Sequence, residues 1–211
     1  MKNRLTLEMY LVILTCSMQE IHNNGHIETQ VNAPNSTINL TNKKSRWQSR
    51  FEKLKNEVES DIRFEQFIDD FTYYNTLLDG KSMPEKLKDG GFSDTEILEA
   101  KRQKEKYAKK IVSRQLYETE QRIDVDLFAS IKLNFDTYLK DLVEAKGDKR
   151  EIKILLTEKV IVPILELLNE EGKDDFFLNY TAEDIKGMIF FLTGKGHINW
   201  TKYDNIIERA G

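Results

Sequence analysis

Residues 181–200 constrain the fold more than any other stretch. Thr181 and Asp184 stand three apart, the spacing of a capping box with Asp in place of the usual Glu. Ile185, Met188, Ile189 and Leu192 follow at helical spacing. Gly194 and Gly196 close the segment, since glycine enters the left-handed region at little cost. His197 and Trp200 stand at the exit. A capped amphipathic helix of this kind must bury its stripe, and the surrounding chain offers other helices to bury it against.

Those helices are read from the same signals. Trp47, Phe51, Leu54 and Val58 make one apolar face. Ile62, Phe67, Ile68, Phe71, Tyr74 and Leu78 predict a second helix ending at Asp79-Gly80. Ser82 and Pro84 open a short one that stops at Gly90-Gly91. Ser93 and Glu96 form a capping box for a long helix whose first core residues are Ile97 and Leu98. Tyr107, Ala108, Ile111 and Val112 are expected on its buried side. Asp124 is the expected cap of the next helix, with Phe128, Ile131, Phe135, Leu139 and Leu142 as its stripe and Gly147 as its stop. Asp148 and Glu151 repeat the capping-box spacing. An apolar seam then runs from Ile152 to Leu168, and Pro163 inside it predicts a kink, because proline removes a backbone hydrogen bond. Gly172 ends that helix. Trp200, Tyr203, Ile206 and Ile207 suggest a last short one.

The N-terminal part reads differently. Residues 26–40 alternate with period two around a turn at 32–36, which predicts one short β-hairpin. Ahead of it, Lys2 and Arg4 precede the apolar run 5–15 and Cys16, the outline of a secretory or lipoprotein signal. Glu8 interrupts that run, which is too short to span a bilayer. A docked helix, or a true start at Met18, are the alternatives. The expected fold is therefore all-α, a multi-helix bundle of about eight helices with one short N-terminal β-hairpin. Residues 1–45 form an N-terminal segment and residues 46–211 a helical assembly domain. The expected location is cytoplasmic, with no membrane association.

Chemistry is sparse. Cys16 is the single cysteine, which excludes an intramolecular disulfide and a cysteine-based zinc site. His22 and His26 flank a turn without acidic partners, so no metal site is expected there, and no cofactor is implied. Gly194-Lys-Gly196 lacks the spacing of a phosphate loop and follows a helix, not a strand. His197 reads as a helix-end hydrogen-bonding residue, with a catalytic base as the alternative. The segment 101–114 is dense in positive charge. Lys101, Arg102, Lys104, Lys109 and Lys110 are candidates to contact phosphates. The other reading of this face is a solvated side of a long helix. A net charge of −4 and the lack of interleaved aromatic residues favour the solvated side. The seam from Ile152 to Leu168 is apolar on more than one side, which predicts a further cover. Leu156, Val160, Ile164, Leu167 and Leu168 are its candidate interface residues, and a two-fold copy of the chain is the expected partner.

Several segments carry a family resemblance: 51–60 (Phe-Glu-Lys-Leu-Lys-Asn-Glu-Val-Glu-Ser), Asp89-Gly-Gly-Phe92, Lys106-Tyr-Ala-Lys-Lys110, and Tyr180-Thr-Ala-Glu-Asp-Ile185 through His197-Ile-Asn-Trp200. From about Trp47 to Asn205 the chain resembles a C-terminal domain of bacterial ABC three-component (ABC-3C) systems, a class of defence or genome-conflict loci. The resemblance implies an assembly domain that works with an ABC-type ATPase and a middle component, usually behind an effector domain. No room for a nuclease or protease domain is seen ahead of Trp47, so a stand-alone subunit is expected. The resulting reading is a non-enzymatic helical assembly or oligomerisation subunit of an antiviral defence system. The alternative is a nucleic-acid-binding helical protein that uses the 101–114 face.

Overall fold

Capping chemistry sets where the helices begin, and a computed structural model shows the outcome for residues 44–114 and 116–201. Among these described residues every regular element is helical. The chain runs through α1 (Arg46–Glu59), α2 (Asp69–Asn75), α3 (Met83–Asp89), α4 (Asp94–Arg114), α5 (Glu118–Tyr138) and α6 (Lys140–Glu144). It continues with α7 (Lys149–Leu155), a π-helical segment (Leu156–Ile161), α8 (Val162–Glu171) and α9 (Ala182–Lys195). The expected hairpin at 26–40, the apolar run 5–15 and the last helix beyond Thr201 lie outside the described residues.

Reciprocal capping boxes form at Ser45/Gln48, Ser82/Glu85, Ser93/Glu96 and Thr181/Asp184. Each satisfies backbone donors that a helix start leaves orphaned. The Asp148/Glu151 spacing does not close a box: Asp148 accepts from the Arg150 amide at 2.6 Å. At the other ends, four helices exit through a left-handed residue: Asp61, Gly91, Lys146 and Gly196. In each, the next residue's amide reaches back to a carbonyl five positions earlier, as in Phe92 to Leu87 and His197 to Leu192, both at 2.9 Å. This is the Schellman arrangement. Gly194, expected to help close α9, stays helical, and Gly196 alone turns the chain.

Two further expectations are corrected. The second helix is only seven residues long, and Ile62, Phe67 and Leu78 are exposed rather than buried. Asp124 does not cap α5, which starts six residues earlier. Its first turn is satisfied from another helix, where buried Glu57 accepts from the Thr119 amide at 3.1 Å and the Thr119 hydroxyl at 2.6 Å. Before Pro163 the helix is π rather than regular α, so that the Val162 amide reaches Thr157. The extra residue in that turn accommodates a ring that cannot donate.

The core lies between α4, α5 and α9, with α1 and the π segment packed on α5. Phe128 of α5 is its aromatic centre, stacked on Phe191 at 5.6 Å and edge-on to Tyr107 at 6.1 Å. The buried face of α4 is Ile97, Ala100, Gln103, Tyr107 and Ile111. Leu98 and Val112, expected inside, are each 68% exposed. They sit one position off that narrow stripe.

The approach of α4 to α9 is set by Gly187. A Cβ there would lie 2.6 Å from the Tyr107 Cβ and 2.7 Å from the Gln103 carbonyl oxygen. Alanine is the better helix former by about 1 kcal/mol, yet Gly187→Ala is expected to destabilise the domain by about 1–3 kcal/mol, because the clash is with backbone and a Cβ. Chemical denaturation of the full chain measures this, and a gain in stability would contradict the packing described.

Candidate functional site

Two of the left-handed exits face one another and frame a pocket. One is Gly91, φ +77°, after α3; the other is Lys146, φ +53°, after α6. Trp200 lies beneath them. Its Cβ would be 2.6 Å from a Cβ at Gly90, so the α3 exit can rest on Trp200 only with glycine there. Phe92 and Phe135 meet the Trp200 ring edge-on at 4.9 and 5.2 Å. The indole N–H donates to Thr193 Oγ1 at 3.1 Å. Thus the segments Asp89–Phe92 and His197–Trp200, far apart in sequence, build one surface. The cavity measures about 210 Å³, with Phe92, Val143, Ile152 and Trp200 as its apolar lining.

Its mouth is basic. Lys146, Lys149 and Lys153 are exposed around it. Lys149 Nζ donates to the Gly91 carbonyl and Lys153 Nζ to Glu96. Of the two acids lining the pocket, Glu96 is held by Lys153 and by Ser93, which together push its carboxyl down to about 2, Lys153 contributing most. Asp89 is paired with Lys81 at 2.6 Å. Sequence reading missed these lysines. Lys146-Gly147 after the α6 stripe was the available signal, as the mark of a helix exit.

The basic face of α4 is divided. Lys110 pairs with buried Asp184 at 2.7 Å and Lys106 with Glu183 at 2.9 Å, tying α4 to the start of α9. Arg114 donates to the Leu178 carbonyl at 2.5 Å. Lys101, Arg102 and Lys109 are exposed and Lys104 is half-buried. The 152–168 seam is also divided. Val160, Ile164 and Leu168 are buried in the chain's own core, while Leu156 and Leu167 are partly exposed. His197 is 5% exposed, with its ring 5.0 Å from those of Tyr73 and Tyr74 at the end of α2. Burial depresses its pKa, against the raising effect of the Tyr73 and Tyr74 backbone. Among the described residues no three His, Cys, Asp or Glu side chains converge as metal ligands. No described helix is long and apolar enough to cross a membrane.

Residues 82–200 match the family model described as C-terminal domain 9 of the ABC-three component (ABC-3C) systems. The match spans more than half of the chain and includes every residue lining the pocket. The chain belongs to that family. No curated protein and no solved structure matches it.

Within the matched region two carboxylates besides Asp184 are buried in the core. Glu120 and Asp124 continue the inward stripe of Phe128, Ile131 and Phe135, and that register was the signal that they point inside. Tyr180 donates to Asp124 Oδ1 at 2.5 Å. Burial raises Asp124 to about 7, opposed by the Tyr180 hydrogen bond, the nearby Tyr107 hydroxyl and the Arg114 charge. Burial, then the charge of Asp124, raises Glu120 to about 10. A carboxyl whose folded pKa is raised holds its proton in the native state after the unfolded chain has released it. Its stabilising contribution is therefore complete below the ordinary values of 3.8 and 4.5 and is lost as pH rises through the folded ones. Glu120→Gln should leave stability unchanged near pH 4 and raise it by about 1–3 kcal/mol near pH 9. Denaturation at the two pH values checks this; equal effects at both would contradict a native-state protonated Glu120.

Proposed function

We propose that this ABC-3C domain is a non-enzymatic, cytoplasmic assembly subunit of a bacterial antiviral defence complex, and that it pairs with a copy of itself. The outer side of the α7–π–α8 rod carries the reading. Ile154 and Val162 are 45% and 37% exposed there and Leu167 is partly exposed, whereas Leu156 packs against the core. The opposite side of the same rod is already filled by Val160, Ile161, Ile164 and Leu168. A helix that is apolar on a second side calls for a second cover, and an isologous contact supplies it with one patch. The polar groups buried in the domain also serve architecture. Lys86 bridges Asp79 at 2.7 Å and the Thr193 carbonyl at 2.8 Å near the end of α9, Glu57 caps α5, and Asp184 caps α9. The remaining surface is left for the system's ABC-type ATPase and its other subunits. Nucleic acid is the less favoured partner, because Lys106, Lys110 and Arg114 of α4 are engaged within the chain.

Light scattering across a dilution series is the test. A dimer mass at high concentration, falling on dilution, is expected, with a total buried area on the order of 1,200–2,000 Å². Leu167→Asp and Ile154→Glu should each weaken it by about 3–5 kcal/mol by placing an unpaired charge in the contact. Ile154 is exposed, so its variant should keep the wild-type circular dichroism. A monomer mass for the wild-type chain at every concentration would overturn the pairing. Retention on DNA or RNA that weakens steeply with salt would favour nucleic-acid binding instead.

A further inference from the structure

We propose that the pocket between the α3 and α6 exits receives one large apolar side chain of a protein partner, presented between carboxylates. This rests on the assembly reading and adds to it a contact with a different protein. Size is the first argument. At about 210 Å³ the cavity falls below the roughly 300–1,000 Å³ of small-molecule and cofactor sites, and matches the single anchor side chains that dominate protein interfaces. The second is preorganisation. Trp200 is 2% exposed, is wedged against Phe92, Phe135 and Gly90, and is hydrogen-bonded to Thr193, so the floor exists before anything binds.

Charge complementarity selects the flanks of the anchor. The mouth carries three lysines, and the two acids beside it are each already paired with a lysine. Lys149 and Lys153 each spend one donor within the chain, and an ammonium has three. Lys146 makes no ion pair among the described residues. It also occupies a left-handed position that a residue with a Cβ holds less readily than glycine. Gly91 fills the equivalent place across the pocket with no Cβ to oppose it. A lysine kept there puts a free ammonium at the rim of an apolar cup, on a chain whose net charge is −4. An acidic segment with an apolar anchor is the partner that both features fit.

The probe is the peptide acetyl-Glu-Glu-Phe-Glu-Glu-amide, titrated into the full chain and followed by the Trp200 indole N–H resonance in a Trp47→Phe background. The indole signal should shift saturably, with affinity falling as salt rises. Replacing the central Phe by Ala, or the flanking acids by Lys, should weaken binding at least tenfold. So should Lys146→Glu, a surface change whose folding is verified by the melting curve, whereas Lys146→Arg should bind like the wild type. No shift at millimolar peptide, equal shifts with the Ala or Lys peptides, or unchanged binding by Lys146→Glu would overturn the proposal. So would a shift of the free chain's indole in Ile206→Ala/Ile207→Ala with a gain in peptide affinity, which would make the chain's own C-terminal residues the occupant. Light scattering on the same samples separates the two readings: loss of peptide binding with a dimer intact leaves the pairing standing, and a monomer that binds the peptide leaves the pocket standing.

Discussion

Two long helices can touch along their backbones only where one of them lacks a side chain, and here that place is Gly187. The absence of a Cβ lets α9 settle onto Tyr107 and Gln103 of α4. Tyr107 then reaches the Phe128–Phe191 stack, so the aromatic centre of the core depends on that approach. The ion pairs Lys106–Glu183 and Lys110–Asp184 lie along the same junction and fix its register. Exposed pairs contribute little by themselves. Asp184 is different, being 1% exposed and shared between the Lys110 ammonium and the Thr181 cap, which together hold its carboxyl below the usual range despite the opposing effect of burial.

Local rules were legible in the sequence and longer-range ones were not. Two of the four capping boxes, Ser93/Glu96 and Thr181/Asp184, and the inward stripe of α9 could be read directly, because each depends on residues three or four apart. The start of α5 could not. Asp124 has the chemistry of a cap, but the cap is Glu57, and nothing local announces that a carboxylate sixty-two positions earlier will serve. The π segment is a similar case: Pro163 signals that regular hydrogen bonding must break, but not that the break takes the form of a widened turn. Leu98 and Val112 were misplaced because α4 buries a single narrow stripe in which Gln103 occupies an apolar register. The pocket was half legible. Asp89–Phe92 and His197–Trp200 stood out as segments, but their meeting, and the lysines at its mouth, belong to the tertiary structure.

The family assignment and the geometry bear on one another through those segments. The pocket draws on distant parts of the matched region, since one wall comes from the α3 exit, another from the α6 exit, and the floor from the last matched residue. The candidate interface seam, by contrast, is shared. Val160, Ile164 and Leu168 hold the domain together from inside, which leaves the exposed positions of the same rod to any contact outside it.

Glu57 has a further consequence for how the domain comes apart. The first turn of α5 presents amide donors that its own sequence does not cover, and α1 supplies the missing acceptor. If α1 lifts away, those donors lose their partner, and α5 loses its start along with a neighbour. Fraying of α5 at that end and detachment of α1 are then one event with one free energy, a single cooperative unit in hydrogen exchange. The seam between separate helices is, in this place, closer to a continuation of one helix by another.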